Sequence, residues 1–401
     1  MVHPVRGSVE VTERQRAFRR DVRELCSGFD DAYWRERAAA GEYPHEFVDA
    51  LADAGLLGLL VPEEYGGAGR STVEAVIMME EIAANGGGFG AAQAVHGGLY
   101  NSVPLVKYAD PETKAELLPK VAAGEVSIQA LGLTEPAAGS ESTAIRTTAT
   151  REGDEYVVDG RKLWTSRVDV SDYLLLVART TPREDVEKPT RGLSLLLVDL
   201  EDAEGQGALT MEPIAKTAGE FVTSFELAFD GLRIPVDDLV GTADEGFYHV
   251  LDGLNEERLV VAAECVGLGE LAVERGAAYA REREVFGRPI GTNQAVQHPL
   301  AAAHARVQAA REFTYASARM ADELPRRELG ARANTAKYLA AEACFDAADA
   351  AVQAHGGRGV AREFDVERYL REARLTRLVP VTQQLALNYV AETVLDLPRS
   401  Y

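Results

Sequence analysis

The sequence predicts an α+β fold with helices at both ends of the chain and strands between them. It divides into an N-terminal helical domain over residues 1–125, a small central β domain over 126–240 and a C-terminal four-helix bundle over 241–401. Three observations carry this. Apolar residues recur at helical spacing as far as about Gly124. From about Ser127, short β-rich runs separated by turn residues replace that spacing. After Pro235, long helical periods return.

In the first domain Phe18, Val22 and Leu25 fall at i, i+4 and i+7, and Thr12 with Gln15 has the form of a capping box, so a helix starts there. Pro44 in a first turn and Gly55 past the last apolar residue bracket a second helix. Ser71 with Glu74 opens a third that Gly86 can close, and Asp110-Pro111 starts another. Pro62 to Gly69 breaks the periodicity, and Gly86 to Gly98 reads as a second glycine-rich interruption.

The β domain takes strands at Ser127 to Leu133, Tyr156 to Asp159, Tyr173 to Ala178, Leu193 to Val198 and Phe225 to Phe229. Gly153-Asp154 reads as a hairpin turn after Thr147 to Arg151, and Pro182 to Arg191 as a polar loop. The last domain takes helices at Glu245 to Arg281, Asn293 to Glu323, Ala331 to Gln353 and Thr382 to Leu395.

Composition narrows the function classes. With 46% hydrophobic and 26% charged residues over 401 positions, the chain sits at globular averages, which argues against disorder and against a disulfide scaffold. Its net charge of −22 repels phosphate backbones and anionic lipid, so no nucleic-acid partner is expected. Cys26, Cys265 and Cys344 lie far apart and form no C-x-x-C pair, which fits a reducing compartment. Met1 to Glu10 lacks the apolar stretch of a signal peptide, and no run approaches the roughly 18 apolar residues of a membrane span. A cytoplasmic location without membrane insertion follows as an expectation. The histidines show no H-E-x-x-H and no i, i+4 pair, so no metal site is expected. There is no Walker A sequence and no G-x-S-x-G. Gly356-Gly357-Arg358-Gly359 follows no strand, so it reads as a helix–helix turn rather than a dinucleotide loop.

What stands out is a set of hydroxyl-bearing and glycine residues in the β segment. Leu133-Thr134-Glu135-Pro136-Ala137-Ala138-Gly139-Ser140 ends a strand in an irregular loop, either a cradle for a pyrophosphate or flavin ring edge or a plain surface turn. Together with Gly160 to Ser166, which contains Lys162-Leu163-Trp164-Thr165-Ser166, and with Arg283-Glu284-Val285-Phe286-Gly287, this segment resembles the acyl-CoA dehydrogenase family. Pro62 to Gly69, Phe229 to Pro235 and Gln353-Ala354-His355-Gly356-Gly357 extend the likeness nearly end to end and in order.

The resemblance implies FAD as cofactor. It implies that Leu133 and Thr134 line the flavin pyrimidine side, that Gly139 and Ser140 approach the FAD pyrophosphate or, for Ser140, the substrate, and that Trp164 and Ser166 flank the ring near N5. In the family's dimer, Arg283, Phe286, Gln294, Gln353, Gly356 and Gly357 would reach the FAD of the neighbouring subunit, and Thr382 and Gln384 match a flavin-contacting pair. Residue chemistry agrees: glycine permits close backbone approach, arginine suits phosphate and an indole offers a flat face, although Trp164 alone reads equally as a core aromatic.

Family chemistry removes the α-proton of an acyl thioester with a carboxylate while the β-hydrogen leaves as hydride to the flavin. In many relatives that base is a Glu in the last helical loop, where this chain has Pro380 between Val379 and Val381. Others place it in a Glu-Arg-Leu triplet, matched here by Glu257-Arg258-Leu259. Glu257 would then be the catalytic base, at the start of an apolar helical run where partial burial raises its pKa. Arg258, assigned to substrate, points away by about 100° and need not quench it. A plain N-terminal helix carboxylate is the alternative reading of Glu257. Glu264, at i+7 on the same face, reads as a residue hydrogen-bonded in the core or at a subunit contact rather than one touching substrate.

The leading expectation is therefore an FAD-dependent acyl-thioester dehydrogenase acting on a coenzyme A or carrier-protein thioester. It would assemble as a homodimer or homotetramer and pass electrons to an acceptor such as an electron-transfer flavoprotein. A flavin oxidase or monooxygenase on the same scaffold and a non-catalytic flavoprotein are the alternatives.

Overall fold

The computed structural model describes residues 12–400. Six helices come first: α1 (Glu13–Ser27), α2 (Asp31–Ala40), α3 (His45–Asp53), α4 (Thr72–Ala83), α5 (Gly88–Tyr108) and α6 (Pro111–Ala122). Thr12 with Gln15 and Ser71 with Glu74 form the expected capping boxes, and Asp110 accepts from the N–H groups of Glu112 and Thr113 ahead of Pro111.

Two elements depart from the sequence expectation. α2 was not foreseen, because its one buried side chain, Trp34, gives no periodicity to read. α5 runs straight through the glycine-rich tract expected to interrupt the chain. Glycine lowers intrinsic helix propensity, but here it permits close contact: a Cβ on Gly90 would lie 2.7 Å from the Phe221 ring, and one on Gly97 would lie 2.5 Å from the Gln129 carbonyl oxygen.

Strands β1 (Ala130–Gly132), β2 (Thr148–Glu152), β3 (Glu155–Ser166), β4 (Tyr173–Arg179), β5 (Leu193–Asp199), β6 (Leu209–Pro213) and β7 (Ser224–Pro235) make one mixed sheet, with helix α7 (Leu200–Gln206) between β5 and β6. β1 is parallel to β4, β5 is antiparallel to β4, and β3 pairs antiparallel with both β2 and β7. In β4, Leu175 and Val177 join a core that includes Leu105 and Leu117 of the helices, while Leu174 and Leu176 join one that includes Leu227 and Phe229 of β7. Both faces are covered, so the strand reads as an unbroken apolar run.

The rest is α8 (Gly246–Glu282), a hairpin of β8 (Glu284–Val285) and β9 (Arg288–Pro289), α9 (Gln294–Ala318), α10 (Arg326–His355), α11 (Val366–Thr376) and α12 (Gln383–Thr393). α9 stops short of the expected Glu323, and α11 was not foreseen among its many charges. It buries Val366, Tyr369 and Ala373 at helical spacing, and Arg368 pairs with Glu372 at 3.0 Å while donating to the Gly86 and Gly87 carbonyls. α8 packs against α10 and α9 on one side and against α4 and α5 on the other, so the first and last helical regions share one core. Buried Arg311 reaches Glu80 at 2.9 Å and Glu270 at 3.5 Å, tying α9 to α4 and α8. Among the described residues no helix is long and apolar enough to cross a membrane. Because α5 touches β1 and α8 touches β5, a seam forms between sheet and helices, and the candidate site lies in it.

Candidate active site

A cleft of about 210 Å³ opens in this seam. Leu133, Thr134, Trp164 and Ser166 line its sheet side, Glu257 and Arg258 its helical side, and Val379 and Pro380 the last loop. Three distant stretches of sequence thus bring six of the expected site residues together.

On the sheet side a buried ion pair fixes the loop after β1. Lys162 donates to the Leu133 carbonyl at 3.1 Å and to Glu135 at 2.8 Å, and Glu135 also accepts from the Arg146 and Thr147 N–H groups at 2.7 and 2.9 Å. Burial draws the Lys162 ammonium down to about 8 against the opposing pull of Glu135. Past Lys162 the pairing of β3 with β7 shifts register, and Trp164 takes a left-handed φ of 62°. This bulge turns the indole out of the sheet, leaving it 52% exposed at the cleft. Ser166 Oγ lies 2.8 Å from Ser224 Oγ, and the buried Thr165 hydroxyl has no partner. A flat indole beside the hydroxyls of Thr134 and Ser166 fits the planar, hydrogen-bonding edge of an isoalloxazine ring.

On the helical side Glu257 is not at a helix start: it lies three turns inside α8, which corrects the reading of an N-terminal carboxylate. It is 8% exposed, and burial pushes its carboxyl up to about 7. Arg258 opposes that rise most strongly, followed by Arg167 and a hydrogen bond from Tyr100. Arg258 therefore does not point clear of the site: it lines the cleft and partly offsets the shift, because adjacent residues of one helix wall both border an enclosed space.

The deep end of the cleft was not anticipated. Gln93, His96 and Tyr100 of α5 line it at i, i+3 and i+7, with Arg167, which follows β3. All five N–H groups of Arg167 are committed. Nε and Nη2 reach the Gln129 carbonyl at 3.4 Å each, Nη1 donates to the Gln93 carbonyl at 2.8 Å and to His96 Nε2 at 3.2 Å, and Nη2 also donates to the Tyr100 hydroxyl at 3.1 Å. Since arginine can only donate, His96 Nε2 accepts and the proton sits on Nδ1, 2.9 Å from Glu264 Oε1. Glu264 is fully buried and hydrogen-bonded, as the sequence suggested.

The other expected residues lie outside the cleft. Gly139 and Ser140 are exposed on the loop pinned by Glu135, and a Cβ on Gly139 would touch nothing. Thr382 caps α12, accepting from the Leu385 N–H at 3.3 Å, and Gln384 is exposed. Arg283 and Gln294 are exposed, and Phe286 is fully so, with φ 50°. Gln353, Gly356 and Gly357 are exposed at the end of α10, which meets the end of α8 where Tyr279 stacks on His355 at 4.2 Å. Arg283 follows Glu257 by 26 residues, about 39 Å along α8, so this second group cannot reach the same cleft.

Residues 12–125, 130–232 and 244–395 match the models of the N-terminal, middle and C-terminal domains of acyl-CoA dehydrogenase. The chain is similar to the acyl-CoA dehydrogenase fadE12 of Mycobacterium bovis, 35% identical over 393 residues covering 98% of each. It is similar to the 3-(aryl)acrylate reductase of Clostridium sporogenes, 30% identical over 96% of this chain and 99% of that one. Among solved structures it is similar to a glutaryl-coenzyme A dehydrogenase in complex with glutaryl-CoA, with a TM-score of 0.90, 27% identity and coverage of 98% of this chain and 97% of that one. By these likenesses, together with its cleft and flavin-fitting wall, the chain belongs to the acyl-CoA dehydrogenase family, FAD-dependent oxidoreductases that dehydrogenate acyl thioesters.

Proposed function

We propose that this protein removes hydrogen across the α,β-bond of an acyl thioester with Glu257 as the α-proton base. The observation that carries the proposal is that, among the described residues lining the cleft, Glu257 is the only carboxylate. Pro380 borders the same space without a titratable group. A carboxyl held near 7 by burial is half ionised at neutral pH and strong enough, once ionised, to take a proton made acidic by the thioester carbonyl.

Bound FAD supplies the acceptor for the β-hydrogen. Leu133, Thr134, Trp164 and Ser166 form its ring wall, with Gly139 and Ser140 on the phosphate side. Arg258 steadies the polar part of the substrate and keeps the ionised base compensated. Arg283, Phe286, Gln294, Gln353, Gly356 and Gly357 complete the flavin site of a second subunit, and Thr382 and Gln384 belong to the same set, so the working form is a dimer or a pair of dimers. The domain divisions at 125 and 240, a cytoplasmic location, and an electron-transfer flavoprotein as acceptor belong to the same reading.

The decisive experiment is anaerobic mixing of Glu257→Gln with acyl thioesters. The variant keeps FAD and still perturbs its spectrum on binding substrate, while flavin reduction falls at least ~10²–10⁴-fold. Reduction at near wild-type rate would remove Glu257 from the role.

A further inference from the structure

Two carboxyls of α8 face the same guanidinium, an arrangement whose meaning rests on the reading of Glu257 as the base. Arg167 donates to the Tyr100 hydroxyl at 3.1 Å, and Tyr100 hydrogen-bonds Glu257. Arg167 also donates to His96 Nε2 at 3.2 Å, and His96 Nδ1 lies 2.9 Å from Glu264 Oε1. Glu257 and Glu264 sit two turns apart on one face of α8, and one neutral ring stands between each of them and the cation. The two arms are built alike but cannot work alike, because only Glu257 borders the cleft.

Glu264 Oε2 separates them. That atom is buried without a hydrogen-bond partner, in a side chain that is fully buried itself. An ionised carboxylate would leave charge on an oxygen that faces no donor, whereas a neutral acid strands only one O–H. Burial drives the Glu264 carboxyl well above its ordinary range, Cys265 and Glu257 add to the rise, and Arg167 opposes it. His96 stays neutral because burial, and then the guanidinium beside it, disfavour its charged form. Asp169 and Lys216, the other ionisable groups in the field of Arg167, take none of its bonds. Arg258 and Lys337 act on Glu257 independently of this arm.

We propose that Glu264 is a positioning residue: as a neutral acid it accepts the His96 Nδ1–H, holds the imidazole with Nε2 turned to Arg167, and so keeps the guanidinium beside Tyr100 without competing for its charge.

The test is the pH profile of anaerobic flavin reduction in the FAD-loaded enzyme. Glu264→Gln, whose amide oxygen accepts the same bond, is expected to keep the wild-type midpoint. Glu264→Leu removes the acceptor and frees the ring, so Arg167 supports ionised Glu257 less and the midpoint rises by about half to one pH unit. A shifted midpoint in Glu264→Gln overturns the proposal, a fall in particular making Glu264 an ionised rival for Arg167. A Glu264→Leu midpoint that does not rise overturns it too, since a merely structural part lowers the rate at every pH alike. Should the leucine variant not fold, a neutron structure of the wild-type holoenzyme decides. Deuterium on His96 Nδ1 and on the Glu264 carboxyl is expected, and deuterium on His96 Nε2 or a bare Glu264 carboxylate overturns the proposal. Near wild-type reduction in Glu257→Gln overturns the base reading and this inference with it, whereas a midpoint indifferent to Glu264→Leu while Glu257→Gln stays inactive overturns this inference alone.

Discussion

Arg167 donates through Nη2 to the Tyr100 hydroxyl at 3.1 Å, and the phenol, whose oxygen is thereby engaged as an acceptor, turns its own proton to Glu257. Burial holds that proton on the phenol across the working pH range. The cation thus reaches the Glu257 carboxyl in two ways, directly through its field and indirectly through the orientation of a neutral donor.

This sets the pH dependence. With Glu257 as the proposed base, abstraction needs its ionised form, so the rate of flavin reduction is expected to rise with pH through a midpoint near 7. Arg258, Arg167, Lys337 and Tyr100 all favour the ionised form, against burial. Tyr100→Phe removes one of the four, so the acid limb moves upward by about one pH unit, with the plateau rate less affected. A merely structural role for Tyr100 would lower the rate at every pH without moving the midpoint, and stopped-flow reduction across pH separates the two.

Lys162 is expected to matter for both stability and cofactor retention. Lys162→Met strands the Glu135 charge in a buried position and frees the loop that carries Leu133 and Thr134. Breaking such a pair costs about 3–5 kcal/mol, measurable by denaturant titration, with weaker FAD binding alongside. The double change Lys162→Met with Glu135→Gln leaves no charge stranded and is expected to recover part of the stability loss.

Lys337 donates to the Val381 carbonyl at 2.7 Å and to Gln383 at 3.3 Å, and Gln383 donates onward to Glu342 at 2.9 Å. These bonds anchor to α10 the loop that brings Val379 and Pro380 to the cleft. Lys337→Met is expected to keep FAD and raise KM by roughly ten-fold, with a smaller change in kcat, because it loosens a wall of the substrate space rather than the base. Steady-state kinetics across thioester concentration reads this split.

At the far end of α8, Phe286 is fully exposed in a left-handed conformation, a combination that costs free energy in an isolated subunit. Arg283→Glu with Phe286→Ser is expected to lower both the oligomer mass by light scattering and the FAD content after gel filtration, with helical circular dichroism retained. Full FAD content in a monomeric variant would show that one subunit holds its flavin unaided.

The legible and the illegible parts of the site differ by the range of their signals. Leu133, Thr134, Trp164 and Ser166 lie in motifs that can be recognised as strings, and Glu257 stands in a triplet with an apolar tail. Gln93, His96 and Tyr100 sit in a helix whose glycines read locally as a break. What overrides that reading is contact with Phe221 and Gln129, more than thirty residues away in sequence. The isolation of Trp34 hid α2, and the charge of α11 hid its buried face. The role of Arg167 depends wholly on partners in other elements, so no spacing could have announced it.

Trp164 and Arg167 belong to one four-residue tract, both with left-handed backbone, φ 62° and 64°. One presents the indole to the cleft and the other gathers Gln93, His96 and Tyr100 of α5 at its deep end, so two walls of the site hang on backbone with only two residues between. An insertion, a deletion or a change of register there would displace both walls at once. A side chain of α5 can be exchanged without moving its backbone, whereas the tract from the end of β3 through Arg167 carries its two side chains in one backbone geometry that tolerates no shift.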